Sequence, residues 1–211
     1  MALAALVALT AIPQAFDVAL GPTDLTEAVD LGRTGIEARR TEFHRPYRLT
    51  IGQPPLDYVE VVTPFRRVVL AAEARLRAGE RLFGQREALA VLEPAPEAVD
   101  FRLELTFHPQ NTFVGVPLYD VRLRAADGRT VEPRTIDRIA RFGPRVAGAT
   151  GISPTPAVGG ARGTTAQPLT GGTIVASFDG RALVPRGRYQ IEVWDGRSLL
   201  TTSIVDFAPL R

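Results

Sequence analysis

The sequence predicts an α+β protein: a small helix–hairpin–helix N-terminal half followed by an antiparallel, strand-rich C-terminal half. Three observations point there. In the first 93 residues apolar side chains fall mostly at three- and four-residue spacing, interrupted by one pair of strand-like runs. From about residue 99 they alternate with polar ones instead. Glycine (19) and proline (17) punctuate the chain often enough to favour many short elements over a helical bundle. At 211 residues, 45% hydrophobic and 23% charged, the chain can bury a core as one large domain or two small ones.

The N-terminal half reads in order. After Gly21-Pro22, Thr23 and Asp24 offer N-cap oxygens, with Glu27 three residues past Asp24 as in a capping box. Leu25, Ala28, Val29 and Leu31 give the helix an apolar face, and Gly32 is its expected stop. A second brief helical piece is expected around Gly35–Thr41. Tyr47–Ile51 and Leu56–Val62 read as two strands across the break Gly52-Gln53-Pro54-Pro55, hence a hairpin. Thr63-Pro64 then announces a helix, threonine as cap and proline at the first helical position. Phe65, Val68, Val69, Ala72 and Leu76 form its single apolar stripe, Gly79 ends it, and Gln85–Leu92 is one more short helix. The region 16–93 is therefore mixed α/β, and the Pro-rich stretch Glu93–Glu97 is the expected joint between the halves.

Beyond the joint the period changes to two. Phe101, Leu103, Leu105 and Phe107 alternate with polar residues, and strands are also expected at Thr112–Val116 and Tyr119–Arg124. Asp127-Gly128 is a hairpin signal. Thr130–Phe142 fits either a strand or a helical turn. Gly143–Gly172 is rich in Gly, Ala, Thr and Pro and nearly free of acids and large apolar groups. Burial there cannot repay the entropy of ordering, so a mobile loop is expected at 143–172. Strands resume at Thr173–Phe178, Arg188–Trp194 and Ser198–Phe207, the last two joined by Asp195-Gly196.

The spacing of Leu183, Pro185, Tyr189, Ile191 and Val193 resembles the late strands of immunoglobulin-like and fibronectin type III-like modules. The resemblance implies that 99–211 form an immunoglobulin-like antiparallel β-sandwich. It further implies a tyrosine hydroxyl bonded back to the corner backbone. Tyr189, Ile191 and Val193 would then face the core, with Gln190, Glu192 and Trp194 on the opposite face. Antibody domains carry two cysteines and a tryptophan in an early strand, and this sequence has neither, which places it nearer the cysteine-free modules. A likeness of fold supplies no function.

Charge and chemistry bound the function classes. The net charge is +2, yet the pI is about 9.5. All 25 basic residues are arginine, so little titrates between neutral pH and the tyrosine range near ~10, and a small excess of arginine carries the pI upward. The arginines are dispersed among acids, which argues against a nucleic-acid footprint. The absence of cysteine excludes disulfides, thiolate nucleophiles, Cys-ligated zinc and a lipid-modified cysteine. Ala2–Ile12 is an apolar run too short for a bilayer, which needs ~20 residues, and is followed by a small residue at Ala15. A signal peptide over 1–15 is therefore expected, although the positive leader is missing. Export to the periplasm or the exterior follows, with no membrane span in the mature chain; an ordinary buried helix or strand is the alternative.

No catalytic motif stands out. There is no G-x-S-x-G elbow, P-loop or G-x-G-x-x-G. His44 and His108 lie sixty-four positions apart without metal-ligand spacing, so neither metal nor cofactor is expected. The candidate binding residues are His108, Asn111 and Phe113, on the connection Phe107–Asp120 between expected strands, and Trp194 beside a hairpin turn. The function expected is a non-catalytic binding or structural module of the bacterial cell envelope, with a protein partner. A secreted hydrolase using an unidentified carboxylate pair, or an accessory domain of a secretion or surface assembly, are the alternatives.

Overall fold

The computed structural model describes residues 16–143 and 167–211. The expected signal peptide at 1–15, and positions 144–166 of the expected mobile loop, lie outside the described residues. Four helices and nine strands in two antiparallel sheets make up the described part, an α+β protein.

Helix α1 (Pro22–Arg33) starts on proline, and the Asp24 carboxylate reaches back to accept the Gly21 N–H at 3.0 Å. Gly21 is thus the cap, and Asp24 acts from within the first turn. Gly32 does not stop the helix. A Cβ there would lie 2.5 Å from the Val69 carbonyl oxygen and 2.6 Å from Ala72 Cβ. Its glycine is what lets α1 cross closely over α3 (Pro64–Arg77). Between them come α2 (Glu37–His44) and a hairpin of β1 (Arg48–Gln53) and β2 (Leu56–Val62). Helix α3 begins as its sequence predicts, with Thr63 Oγ1 accepting the Arg66 N–H at 3.2 Å. With α4 (Gln85–Leu92), α1 and α3 bury a helical core that includes Leu25, Val29, Phe65, Val69, Ala88 and Leu92.

Seven further strands follow: β3 (Ala98–Thr106), β4 (Asp120–Ala125), β5 (Thr130–Val131), β6 (Thr135–Phe142), β7 (Leu169–Asp179), β8 (Arg188–Asp195) and β9 (Ser198–Asp206). One sheet has the order β1-β2-β3-β7-β6, the other β5-β4-β8-β9. Val59 faces Leu103 and Val61 faces Phe101 across the β2–β3 ladder, so the first sheet runs straight over the Pro-rich joint at Glu93–Glu97. The ambiguous stretch Thr130–Phe142 is two strands in two different sheets. Thr112–Val116, expected as a strand, is irregular. The expected loop 143–172 ends early, because Leu169–Gly172 already belong to β7. Gly171 and Gly172 read as loop residues, yet they are strand positions with no room for a side chain. A Cβ on Gly171 would meet the Leu105 carbonyl oxygen at 2.3 Å, and one on Gly172 would meet Val116 at 2.6 Å.

Side chains from both sheets share one buried cluster. Phe101, Leu103, Ile174 and Phe178 come from the first sheet, and Val121, Leu123, Ile191 and Val205 from the second. Tyr189 lies in that cluster, and its hydroxyl accepts the Val184 N–H at 2.8 Å. Phe43 packs against both this cluster and the helical core. The C-terminus returns to the N-terminal region: the Arg211 N–H donates to the Tyr47 hydroxyl at 2.9 Å, and its guanidinium pairs with Glu27.

Candidate binding surface

The connection from β3 to β4 is held from three sides. At its base the buried Phe107 ring stacks on Phe113, centroids 4.8 Å apart. The Asn111 side chain then clamps the backbone. Its Nδ2 donates to the His108 carbonyl at 2.8 Å and to the Leu169 carbonyl at 3.3 Å, while its Oδ1 accepts the Phe113 N–H at 2.9 Å. His108 is exposed, and its Nδ1 accepts the Gln110 N–H at 3.2 Å. On the far side Arg138 of β6 donates to the Pro117 carbonyl at 3.3 Å and the Tyr119 carbonyl at 3.0 Å.

The consequence is an ordered loop that presents apolar side chains to solvent. Val114 is as exposed as in an open chain (102%), Leu118 is 77% exposed and Phe113 42%. Of these three only Phe113 is among the candidates the sequence offers; Val114 and Leu118 are not. The run Thr112–Val116 reads as a strand from its sequence, and only the backbone clamps reveal that its apolar residues are turned outward. Beside the loop, β6 forms one edge of its sheet and exposes Ile139 and Phe142 as well. His108, Asn111 and Phe113 thus share one loop in different roles: Asn111 and His108 shape it, and Phe113 contributes contact area.

Trp194 lies elsewhere. It pairs in register with Asp120, the residue where the loop enters β4, but its own contacts point along the second sheet. The indole N–H donates to Glu192 at 3.2 Å, and the Arg122 guanidinium lies 5.7 Å from the ring centroid. Arg124 Nε closes on the other Glu192 oxygen at 2.6 Å. Glu192 was expected on the solvent face, and it is on that face, yet it is only 4% exposed. It lies shallow, roofed by Arg124 and Trp194 rather than sunk in the core. The Arg124 hydrogen bond outweighs this partial desolvation and holds the Glu192 carboxyl below its ordinary range. Trp194 is therefore a member of a surface polar network, half-buried and oriented by Glu192.

The other histidine sits in a network that sequence reading missed. Arg66, 2% exposed, donates from Nε to His44 Nδ1 at 3.2 Å and from one terminal nitrogen to the Val61 carbonyl at 2.5 Å; the other terminal nitrogen pairs with Glu60. With Nδ1 accepting, His44 carries its proton on Nε2 and donates it to Glu73 at 2.7 Å. Both ring nitrogens are spent, so His44 has none left for a metal or for proton transfer to a substrate. The partners lie 22 and 29 positions from His44 in the chain, which is why no local motif announced them.

The chain matches no family model, no curated protein and no solved structure. Among the described residues no helix is long and apolar enough to cross a membrane.

Proposed function

We propose that the chain is an exported, non-catalytic binding module of the cell envelope that engages a protein partner through the β3–β4 loop and the neighbouring edge strand β6. The observation that carries the reading is the exposure of Val114, Leu118 and Phe113 on a loop already fixed by Asn111 and Arg138. Clustered exposed apolar side chains mark contact surfaces on soluble proteins. A loop ordered beforehand loses little entropy on binding, so apolar contact there converts efficiently into affinity. Among the described residues β6 ends its sheet, and its outer edge offers strand addition as a second means of attachment.

The framework for this role is an immunoglobulin-like sandwich. Its support is the Tyr189 hydroxyl bonded to the Val184 N–H, as the resemblance implied, together with the cluster shared by the two sheets. Export rests on the apolar run Ala2–Ile12 followed by a small residue at Ala15. It is checked by N-terminal sequencing of the protein made in its own cell, where retention of Met1 or Ala2 would contradict it.

The binding role is tested by capture from the native envelope with wild-type chain and a Phe113→Ser/Leu118→Ser variant. Leu118 is largely exposed and Phe113 lies outside the buried cluster, so the fold should persist by circular dichroism. Loss of a specific captured protein supports the loop as the contact surface. Undiminished capture removes the loop from the account.

A further inference from the structure

The second notable surface is an arginine-lined cleft of about 560 Å³ between α2, the start of β1 and the last turns of α3. We propose that this cleft binds the phosphate group of a small phosphorylated ligand. Four arginines line it, Arg40, Arg45, Arg48 and Arg77, against two carboxylates, Glu37 and Glu73. Glu73 is already spent. One oxygen accepts from His44 and the other from Arg77 at 2.9 Å. That leaves Arg40, Arg45 and Arg48 facing Glu37 alone, and none of the three has an ion pair among the described residues.

Many arginines elsewhere are matched to acids, as Arg75 is with Glu80, Arg134 with Asp179, Arg181 with Glu97 and Arg188 with Asp206. Others, such as Arg86, Arg102 and Arg197, stand without an ion pair among the described residues, but here three such arginines share one cleft. A second cleft of about 560 Å³ at the α3–α4 joint differs in balance: Arg75 and Arg81 meet two carboxylates, Glu80 and Glu87, and Arg75 is taken by Glu80.

The cleft is also built. Its wall is the Glu60–Arg66–His44–Glu73–Arg77 chain, which orients the His44 ring and leaves Arg77 paired with Glu73 at the solvent end. Arg48 is steadied with its guanidinium carbon 3.6 Å from the Tyr58 ring centroid. Guanidinium forks bind phosphate oxygens in pairs of parallel hydrogen bonds, and the Thr41 and Thr50 hydroxyls on the same wall add further donors. A volume of this size suits a small ligand. Three arginines facing one carboxylate leave a surplus of about two positive charges, which matches a group that carries about two negative charges near neutral pH, as a phosphate monoester does.

Titration calorimetry of the full chain with sodium pyrophosphate tests the proposal, alongside co-sedimentation with phosphatidylglycerol vesicles and with phosphatidylcholine vesicles. The expected result is one-to-one pyrophosphate binding, weakened at least tenfold in Arg45→Gln/Arg48→Gln and unchanged in Arg129→Gln, a surface arginine outside the cleft. Binding to phosphatidylglycerol vesicles only, abolished in the same double variant, would support the site and assign the phosphate to a lipid headgroup. Should the double variant lose its circular dichroism spectrum, Arg40→Gln carries the same comparison. Absence of binding in both arms overturns the proposal. So does an equal loss in Arg129→Gln, which would reduce the effect to net charge.

Discussion

Tyr189 shows how much a single side chain decides here. Its ring belongs to the buried cluster, while its hydroxyl satisfies the Val184 N–H at 2.8 Å, tying the corner to the strand it feeds. Tyr189→Phe keeps the ring and removes the bond. Urea denaturation should show a loss of about 1 kcal/mol, the net worth of one such bond; an unchanged midpoint would mean that water replaces the hydroxyl at no cost. Glu192 supplies a pH-dependent counterpart. Its folded pKa is depressed, chiefly by the Arg124 hydrogen bond, so its stabilising contribution is present above the unfolded carboxylate value near ~4.3 and is lost as pH falls through the lower folded value. The stability gap between wild type and Glu192→Gln should therefore narrow as urea midpoints are followed from pH 6 down to pH 3. A gap that stays constant would assign Glu192 a role independent of charge. Both roles differ in legibility. Tyr189 was readable because its partner lies five residues away. The enclosure of Glu192 was not, because strand alternation gives the face of a residue but says nothing of what the neighbouring strand lays over it.

At the scale of elements, hydrophobic period and caps located most helices and strands, and glycine was the chief source of error. Gly32 reads locally as a stop and Gly171-Gly172 as loop, because a local reading knows glycine as a breaker. In the fold they are places where another backbone comes too close for a Cβ. Gly32→Ala measures this directly. Helix propensity favours alanine by up to about 1 kcal/mol, whereas overpacking costs about 1–3 kcal/mol. The crowding atoms are the Val69 carbonyl and the Ala72 Cβ, backbone-bound groups that cannot swing aside, so overpacking should prevail. A net destabilisation of about 1–2 kcal/mol is expected in thermal or urea unfolding, and a stabilised variant would show that α1 and α3 can separate freely. The β3–β4 connection differs for another reason. Thr112–Val116 reads as a strand, yet its course is set by the bond from Asn111 to Leu169 of β7 and by Arg138 of β6, which follow it in the chain.

For the molecule as a whole, the change of grammar near residue 97 was legible but its meaning was not. The period shifts from helical to alternating there, yet the N-terminal hairpin supplies two strands of the five-stranded sheet. Pairing between β2 and β3 depends on complementary faces brought together by α3 and α4, and no local pattern encodes it. Phe43, touching both cores, and Arg211, bonded to Tyr47 and Glu27, tie the helical region to the sheets. On this frame the β3–β4 loop stands as the proposed contact surface. Its most direct test is a photo-crosslinking residue at Val114, introduced into the full chain in its own cell, with position 197 on the β8–β9 turn as control. The account predicts a discrete protein adduct from position 114, diminished by Leu118→Ser and absent from position 197. No adduct at 114, or the same adducts from both positions, would contradict it.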